Sequence, residues 1–253
     1  TCALPISEVR SIRRAPILGG LGPIAWRQVL NALRNSFKLI FVFMGLAASI
    51  APVSMALGAP VREPHTLMII YVFVAFILPR NLVCDFRGDV SRMETYKTLP
   101  IAPWRICAGQ LVVQVFVAYV IALTIIASAL VFEDKVTTEV ALVLAAFALP
   151  LTFLIYAVEN TVHLLFPIKL VAMGRADFEF LGRSIVEFIA KTIFIFVGMA
   201  ASGAVGLLTF KMMAVTWTVA GLASWLTLTL IGFLAVVGLQ YAFQRFAVAE
   251  TID

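Results

Sequence analysis

Five stretches of this chain, residues 39–61, 106–132, 140–158, 192–210 and 212–244, contain no Asp, Glu, Lys or Arg. They run to 23, 27, 19, 19 and 33 residues. A helix rises about 1.5 Å per residue, so about 20 apolar residues cross a hydrocarbon core of about 30 Å. Each run therefore matches one crossing, and the last exceeds it. A β-barrel would instead need alternating segments of about ten residues, and a continuous run such as LIFVFMGLAASI at 39–50 does not alternate. Composition points the same way: 62% of the 253 residues are apolar and 13% charged, against about 45–50% and about 25% in soluble domains. A soluble globular enzyme is excluded, and the expected class is an all-α polytopic membrane protein.

Six spans fit the pattern: 39–61, 64–83, 106–131, 140–166, 182–210 and one within 212–244. The second opens on Pro64, which suits a first helical turn, and ends with Arg80 snorkelling. Pro150 places a kink in the fourth. The last window is long enough to expect a break or a re-entrant piece near its start. Of the 19 Lys and Arg, 15 then fall on one side and 3 on the other, with Lys191 inside the fifth span. By the positive-inside rule both termini are cytoplasmic. Adding or dropping a middle span would destroy this asymmetry. The net charge of +5 accordingly reads as membrane topology and not as a nucleic-acid surface.

The chain opens with Thr, and TCALPI is what the codons ACG TGT GCT CTT CCG ATC spell, the end of a common sequencing adapter. Residues 1–7 are therefore expected to be non-native, and 8–253 to be one transmembrane domain from a longer protein. Cys2, Cys84 and Cys107 show no CxxC spacing, so neither redox chemistry nor a disulfide framework is expected.

Three segments carry the polar chemistry. Before the first span, Trp26, Val29, Leu30, Leu33 and Phe37 form an apolar stripe beside a polar one of Arg27, Asn31, Arg34 and Lys38. That pattern predicts an amphipathic helix in the interface, its cations toward anionic headgroups; the alternative is a flank that continues the first span. In the stretch 84–105, Asp85, Arg87, Asp89, Arg92, Glu94, Lys97 and Arg105 alternate with Phe86, Met93, Tyr96 and Leu99. Mixed charge with apolar partners suits a short helix that docks a soluble partner, and equally an ordinary solvated helix. Within the fourth and fifth spans, Glu159, Asn160 and His163 and then Arg183, Glu187 and Lys191 recur at helical spacing. Ionisable groups at that depth face the bundle interior or a wet cavity. The two spans run antiparallel, so both sets fall near the cytoplasmic leaflet and are expected to meet as a polar cluster at an inner mouth or gate, or as a structural ion-pair group. Gly198, Ser202 and Gly206 form a small-residue face for helix packing.

The stretches GPIAWRQ with a following ALR, DFRGDVSRMETYKTLPIAPWRICAGQL and YAVENTVHLLFPIKLVAMGRADFEFLGR resemble the family of ABC exporter permeases related to the ABC-2 membrane subunits, over nearly all of residues 20–195. The resemblance implies a transmembrane domain, residues 85–99 as the coupling segment against a separate cytoplasmic ATPase, and Asp85, Arg87, Asp89, Arg92, Glu94, Tyr96, Lys97 and Leu99 as its contact set. Family members are longer, which implies further sequence before residue 8 and a second permease half or a second copy in the assembly. No GxxxxGK[ST] phosphate loop occurs, so ATP hydrolysis is expected on the partner, with no cofactor in this chain and a bacterial cytoplasmic membrane as its location. Two other classes compete. An intramembrane enzyme would use Glu159 and His163 on one helix face, although metal catalysis usually needs about three protein ligands, the chain has two His, and HExxH is absent. A secondary transporter would show inverted repeats or broken helices, and no clear internal repeat is seen.

Overall fold

A computed structural model describes residues 20–57, 64–81, 86, 89, 92–133, 136–165, 178–213 and 216–245. The expectation for residues 1–7 lies outside the described residues. Among those described the structure is all helix, with no strand. Helix α1 is Leu21–Asn31, and a π-helical turn at Ala32–Ser36 joins it to α2, Phe37–Ala56. Then come α3, Pro64–Asn81; the short α4, Met93–Thr98; α5, Pro103–Phe132; α6, Thr138–Leu165; α7, Phe178–Met213; and α8, Trp217–Arg245. Five helices are long and apolar enough to cross a membrane: Phe37–Ala56, Pro103–Phe132, Thr138–Leu165, Ile185–Met212 and Trp217–Arg245. They mark an integral membrane protein. The apolar part of α3, Thr66–Leu78, is shorter.

The break expected near the start of the 212–244 window falls between Met213, the last residue of α7, and Trp217, from which α8 is continuous. Phe210 stacks on Trp217 with ring centroids 3.6 Å apart, so the excess length belongs to the hairpin between the two helices. The amphipathic segment forms α1, which the π turn joins without a gap to α2, and its Ile24 and Gln28 are buried. Gly109 of α5 makes that docking possible, because a Cβ there would lie 3.0 Å from Ile24 Cβ and 3.2 Å from the Leu21 carbonyl.

The core forms around α5 and α6. More than half of the spanning window of α6 is buried, 56%, against 11% for α2, so α6 sits in the middle and α2 on the rim. The large apolar groups on α2, α7 and α8 remain exposed, among them Phe41, Leu46, Phe196, Leu226 and Phe233. Lipid tails are the solvent that suits them.

With no water at that depth, each proline inside a helix leaves a carbonyl four residues earlier without its donor. Pro52 lies inside α2, and the carbonyl it orphans, that of Ala48, accepts a hydrogen bond of 2.7 Å from the Ser128 hydroxyl of α5. Pro150 lies inside α6, and the carbonyl of Ala146 accepts one of 2.9 Å from the Trp225 indole of α8. Both defects are thus converted into helix–helix contacts. The small face of α7 is used similarly: a Cβ on Gly198 would stand 2.9 Å from Leu154 Cδ2, and one on Gly206 would stand 3.1 Å from Ser224 Cβ. Between them Ser202 donates to the Ser224 carbonyl at 2.8 Å. The small-residue face is a packing surface against α6 and α8.

Ser128→Ala and Trp225→Phe are each expected to lower unfolding stability in micelles by about 1 kcal/mol, the usual worth of one interhelical hydrogen bond. Restoring the backbone N–H with Pro150→Ala should shrink the cost of Trp225→Phe, and a double-mutant cycle reads that coupling. Additive losses would show that the indole does not serve the proline gap.

Candidate functional site

Two buried polar clusters lie toward the end of the bundle where α1, α4 and the start of α5 meet. The first centres on Asp89, which is 1% exposed. Four donors converge on its carboxylate. Arg27 of α1 donates to Oδ1, while Oδ2 accepts from Gln28 Nε2 at 2.9 Å, the Tyr96 hydroxyl at 2.8 Å and Gln110 Nε2 at 3.0 Å. Arg27 also donates to the Tyr96 oxygen and lies over its ring, 5.7 Å from the centroid. Gln28 in turn donates to Gln110 Oε1. One carboxylate therefore ties together α1, α4 and α5. Helical geometry explains the convergence: Arg27 and Gln28 lie on the face of α1 that Gly109 admits to α5, and Gln110 follows Gly109 directly.

The arrangement also acts on Tyr96. Burial first, and then its hydrogen bond to Asp89, push the phenol up to about 12 from an ordinary 10. An acid whose folded pKa is raised contributes stability that is complete below pH 10 and is lost as pH climbs through 12.

The second cluster joins α6 and α7. Lys191 Nζ donates to Glu159 Oε2 at 2.7 Å, and both side chains are nearly inaccessible, 2% and 3% exposed. The Lys191 ammonium lies 5.6 Å from the ring centroid of Phe76 of α3 and 5.9 Å from that of Phe188, favourable positions for a cation over a π face. Beside the pair, Asn160 Nδ2 donates to Gln114 Oε1 at 3.1 Å and to the Tyr156 carbonyl at 2.9 Å. Gln114 Nε2 and Asn160 Oδ1 are buried without a hydrogen-bond partner. Depth follows from helix rise. Twenty residues separate Glu159 from Glu139, and twenty separate Lys191 from Lys211, about 30 Å of helix in each case. The pair thus sits one hydrocarbon thickness from the charged residues at the opposite end.

The structure pairs Glu159 with Lys191 and buries Asn160, His163 and Glu187; the Arg183 side chain lies outside the described residues, as do Asp85 and Arg87. Glu159 rather than Glu187 makes the short contact to Lys191. In the stretch 84–105, Asp89 and Tyr96 turn inward, Leu99 is partly buried, and Arg92, Glu94 and Lys97 are exposed. On α1 Arg27 is engaged by Asp89 instead of pointing at headgroups, Trp26 is partly buried, and Arg34 and Lys38 are exposed. Gln28, Gln110, Gln114 and Phe76 belong to these clusters and were not expected from the sequence. A scan for charge passes over glutamine, although two Gln four apart in the otherwise apolar α5 were a readable sign. Among the described residues no group of three or more His, Cys, Asp or Glu is placed to hold a metal ion.

Comparison with protein-family models, with curated proteins and with solved structures finds no match.

Asp89→Asn turns one acceptor into a donor that faces three others. We expect a loss of about 2–3 kcal/mol, below the full 3–5 of a broken buried pair because the Arg27 side chain is 35% exposed. The same change removes the Asp89 contribution at Tyr96, so ultraviolet titration should find the phenol ionising at lower pH than in the parent protein. An unmoved Tyr96 titration would place the two groups apart.

Proposed function

We propose that this chain is the membrane subunit of an ATP-driven exporter, in which a separate cytoplasmic ATPase docks on α4 and its flanks. Asp89 carries the reading. A surface helix that merely covered the bundle would need no buried carboxylate with four donors, whereas a helix that must transmit force needs rigid attachment. Through Arg27, Gln28 and Gln110 any displacement of α4 is passed to α1 and to the central α5. Phe86 extends the connection to α8, its ring 5.6 Å from that of Phe243. The exposed side of α4 offers Glu94, Thr95 and Thr98 to the partner, beside Lys97, which donates to the Gln244 carbonyl of α8 at 3.5 Å. In this reading α3 is a sixth crossing, both termini and α4 are cytoplasmic, and the membrane is the bacterial cytoplasmic one. The chain itself hydrolyses nothing. Its two arrangements, open to one side or the other, are weighted by ATP binding to the partner.

The combined change Glu94→Ala, Thr95→Ala and Thr98→Ala touches only exposed positions. It is expected to cut stimulation of a co-purified ATPase about tenfold or more, the scale of losing an interface anchor, with thermal stability unchanged. Absence of any ATPase with the parent protein, or full stimulation by the triple variant, would remove the proposal. Cysteine labelling adds a topology check: positions 97 and 245 should react from the cytoplasmic side and position 217 from the other.

A further inference from the structure

A cavity of about 190 Å³ lies where α4, the start of α5 and the end of α8 meet. Ile101, Pro103, Ile106 and Phe243 give it apolar walls, and Lys97 and Gln244 line it beside them. Tyr96 is the wall it shares with the Asp89 cluster, toward which its hydroxyl is turned. At about 100° per residue, Tyr96 and Lys97 face another side of α4 than Glu94, Thr95 and Thr98, so the cavity is distinct from the exposed side of that helix. Its depth follows from charge. Arg105 is the last charged residue before the run 106–132, and Arg245 is the first after the run 212–244. The cavity touches their neighbours Ile106 and Gln244, so it sits where both runs leave the hydrocarbon. At that level Arg105 lies over the Trp104 ring, 5.3 Å from its centroid, and Arg245 over the Tyr241 ring at 4.6 Å. Both rings are about half exposed, as in the aromatic belt at a headgroup boundary.

Three cations thus gather around the cavity, and none of its described lining residues is acidic. Of the described carboxylates on the adjoining elements, Asp89 is taken up by Arg27 and three further donors, and Glu94 stands on the exposed side of α4. Lys97 Nζ donates to the Gln244 carbonyl at 3.5 Å, a long contact for an ammonium that carries three donors. Gln244 also heads a stripe on α8. Tyr241, Val237, Leu234 and Leu230 follow it at intervals of three and four residues, hence on one face, and all are exposed. Below the cavity there is therefore apolar surface about 20 Å long, which a free phosphate would leave unused and an acyl chain would cover.

We propose that this cavity binds the phosphodiester of an anionic glycerophospholipid, with Lys97 lining the site, Arg105 and Arg245 supplying the surrounding positive charge, and an acyl chain lying along the Leu230–Tyr241 stripe. A phosphate oxygen offers Lys97 a charge-assisted bond of about 2.7–2.9 Å, and the ammonium of a zwitterionic headgroup would be repelled by three cations. The volume is about six times the ~30 Å³ share of a water molecule, room for a phosphate and the carbons next to it. The bound lipid joins α4 to α5 and α8. This goes beyond the transport reading and needs no ATPase; it needs only that the charge-free runs lie in lipid.

The test places the full chain in detergent micelles with equal amounts of phosphatidylglycerol and phosphatidylcholine and counts retained lipids by native mass spectrometry. We expect one phosphatidylglycerol per chain, preferred about tenfold or more. Lys97→Gln with Arg245→Gln, both at exposed positions, should bring the preference near unity, and the charge-conserving Lys97→Arg with Arg245→Lys should keep it. Arg34→Gln with Lys38→Gln, an equal loss of charge at exposed positions away from the cavity lining, should keep it too. Added phosphatidylglycerol should raise the thermal midpoint of the parent and not of the neutral pair; if that pair does not fold, Lys97→Gln alone takes its place, with the preference expected to fall severalfold. Equal retention of the two lipids by the parent, an undiminished preference in the neutral variant, or an equal drop in the Arg34 and Lys38 variant overturns the inference. Displacement of the lipid by inorganic phosphate or by water-soluble glycerophosphoglycerol would show a phosphate site that needs no acyl chain and would overturn the lipid assignment. Loss of a co-purified ATPase from the neutral pair with its lipid preference intact would assign the cavity to the protein partner instead.

Discussion

Lipid offers no hydrogen bonds, and that single deficiency organises this bundle. In water an interior proline costs a helix one bond and solvent covers the carbonyl it exposes. Here the carbonyls of Ala48 and Ala146 have only neighbouring helices to turn to, and Ser128 and Trp225 reach them. The two prolines therefore select which helices pair: α2 with α5, and α6 with α8. Thr152 and Tyr71 join α3 to α6 by the same necessity, hydroxyl to hydroxyl.

Chemistry is divided along the bundle axis. Where α7 meets α8 toward Met213 and Trp217, the contact is made by small residues, hydroxyls and stacked rings, which cost little to desolvate and gain little by separating, while buried Glu133 at the same end of the bundle accepts from Ser54 of α2. The opposite end is fastened by Asp89 with four donors and by Glu159 with Lys191. Charged groups attract one another strongly at low dielectric but are also strongly penalised when alone, so such contacts resist small displacements and change state as a unit.

Much of this could be read from residue order alone. The spans drawn around the charge-free runs located the five long helices within a few residues, because hydrophobic length is a property of the local sequence. Four-residue spacing put Glu159 with His163, and Glu187 with Lys191, on common helix faces. What spacing could not supply was the partner across the gap. Lys191 has a carboxylate four residues away on its own helix, yet its short contact is to Glu159, thirty-two residues earlier. Arg27 looked like one of a stripe of headgroup-binding cations, and a carboxylate sixty-two residues later engages it. Glutamines 28, 110 and 114 escaped notice because an uncharged side chain in an apolar run gives little signal until its neighbours are known.

Sequence by itself determined the solvent, the number and length of the long helices and the gathering of basic side chains at one end, since each follows from local composition against the thickness of a bilayer. Tertiary structure alone decided which polar groups are satisfied by which: the Asp89 hub, the Glu159–Lys191 pair beside Phe188, and the donors that fill the proline gaps. The reason is that a buried polar group is paired by whatever lies within about 3 Å, and proximity between helices is set by close approaches such as that of Gly109 to Ile24, whose partner across the gap no one-dimensional pattern names.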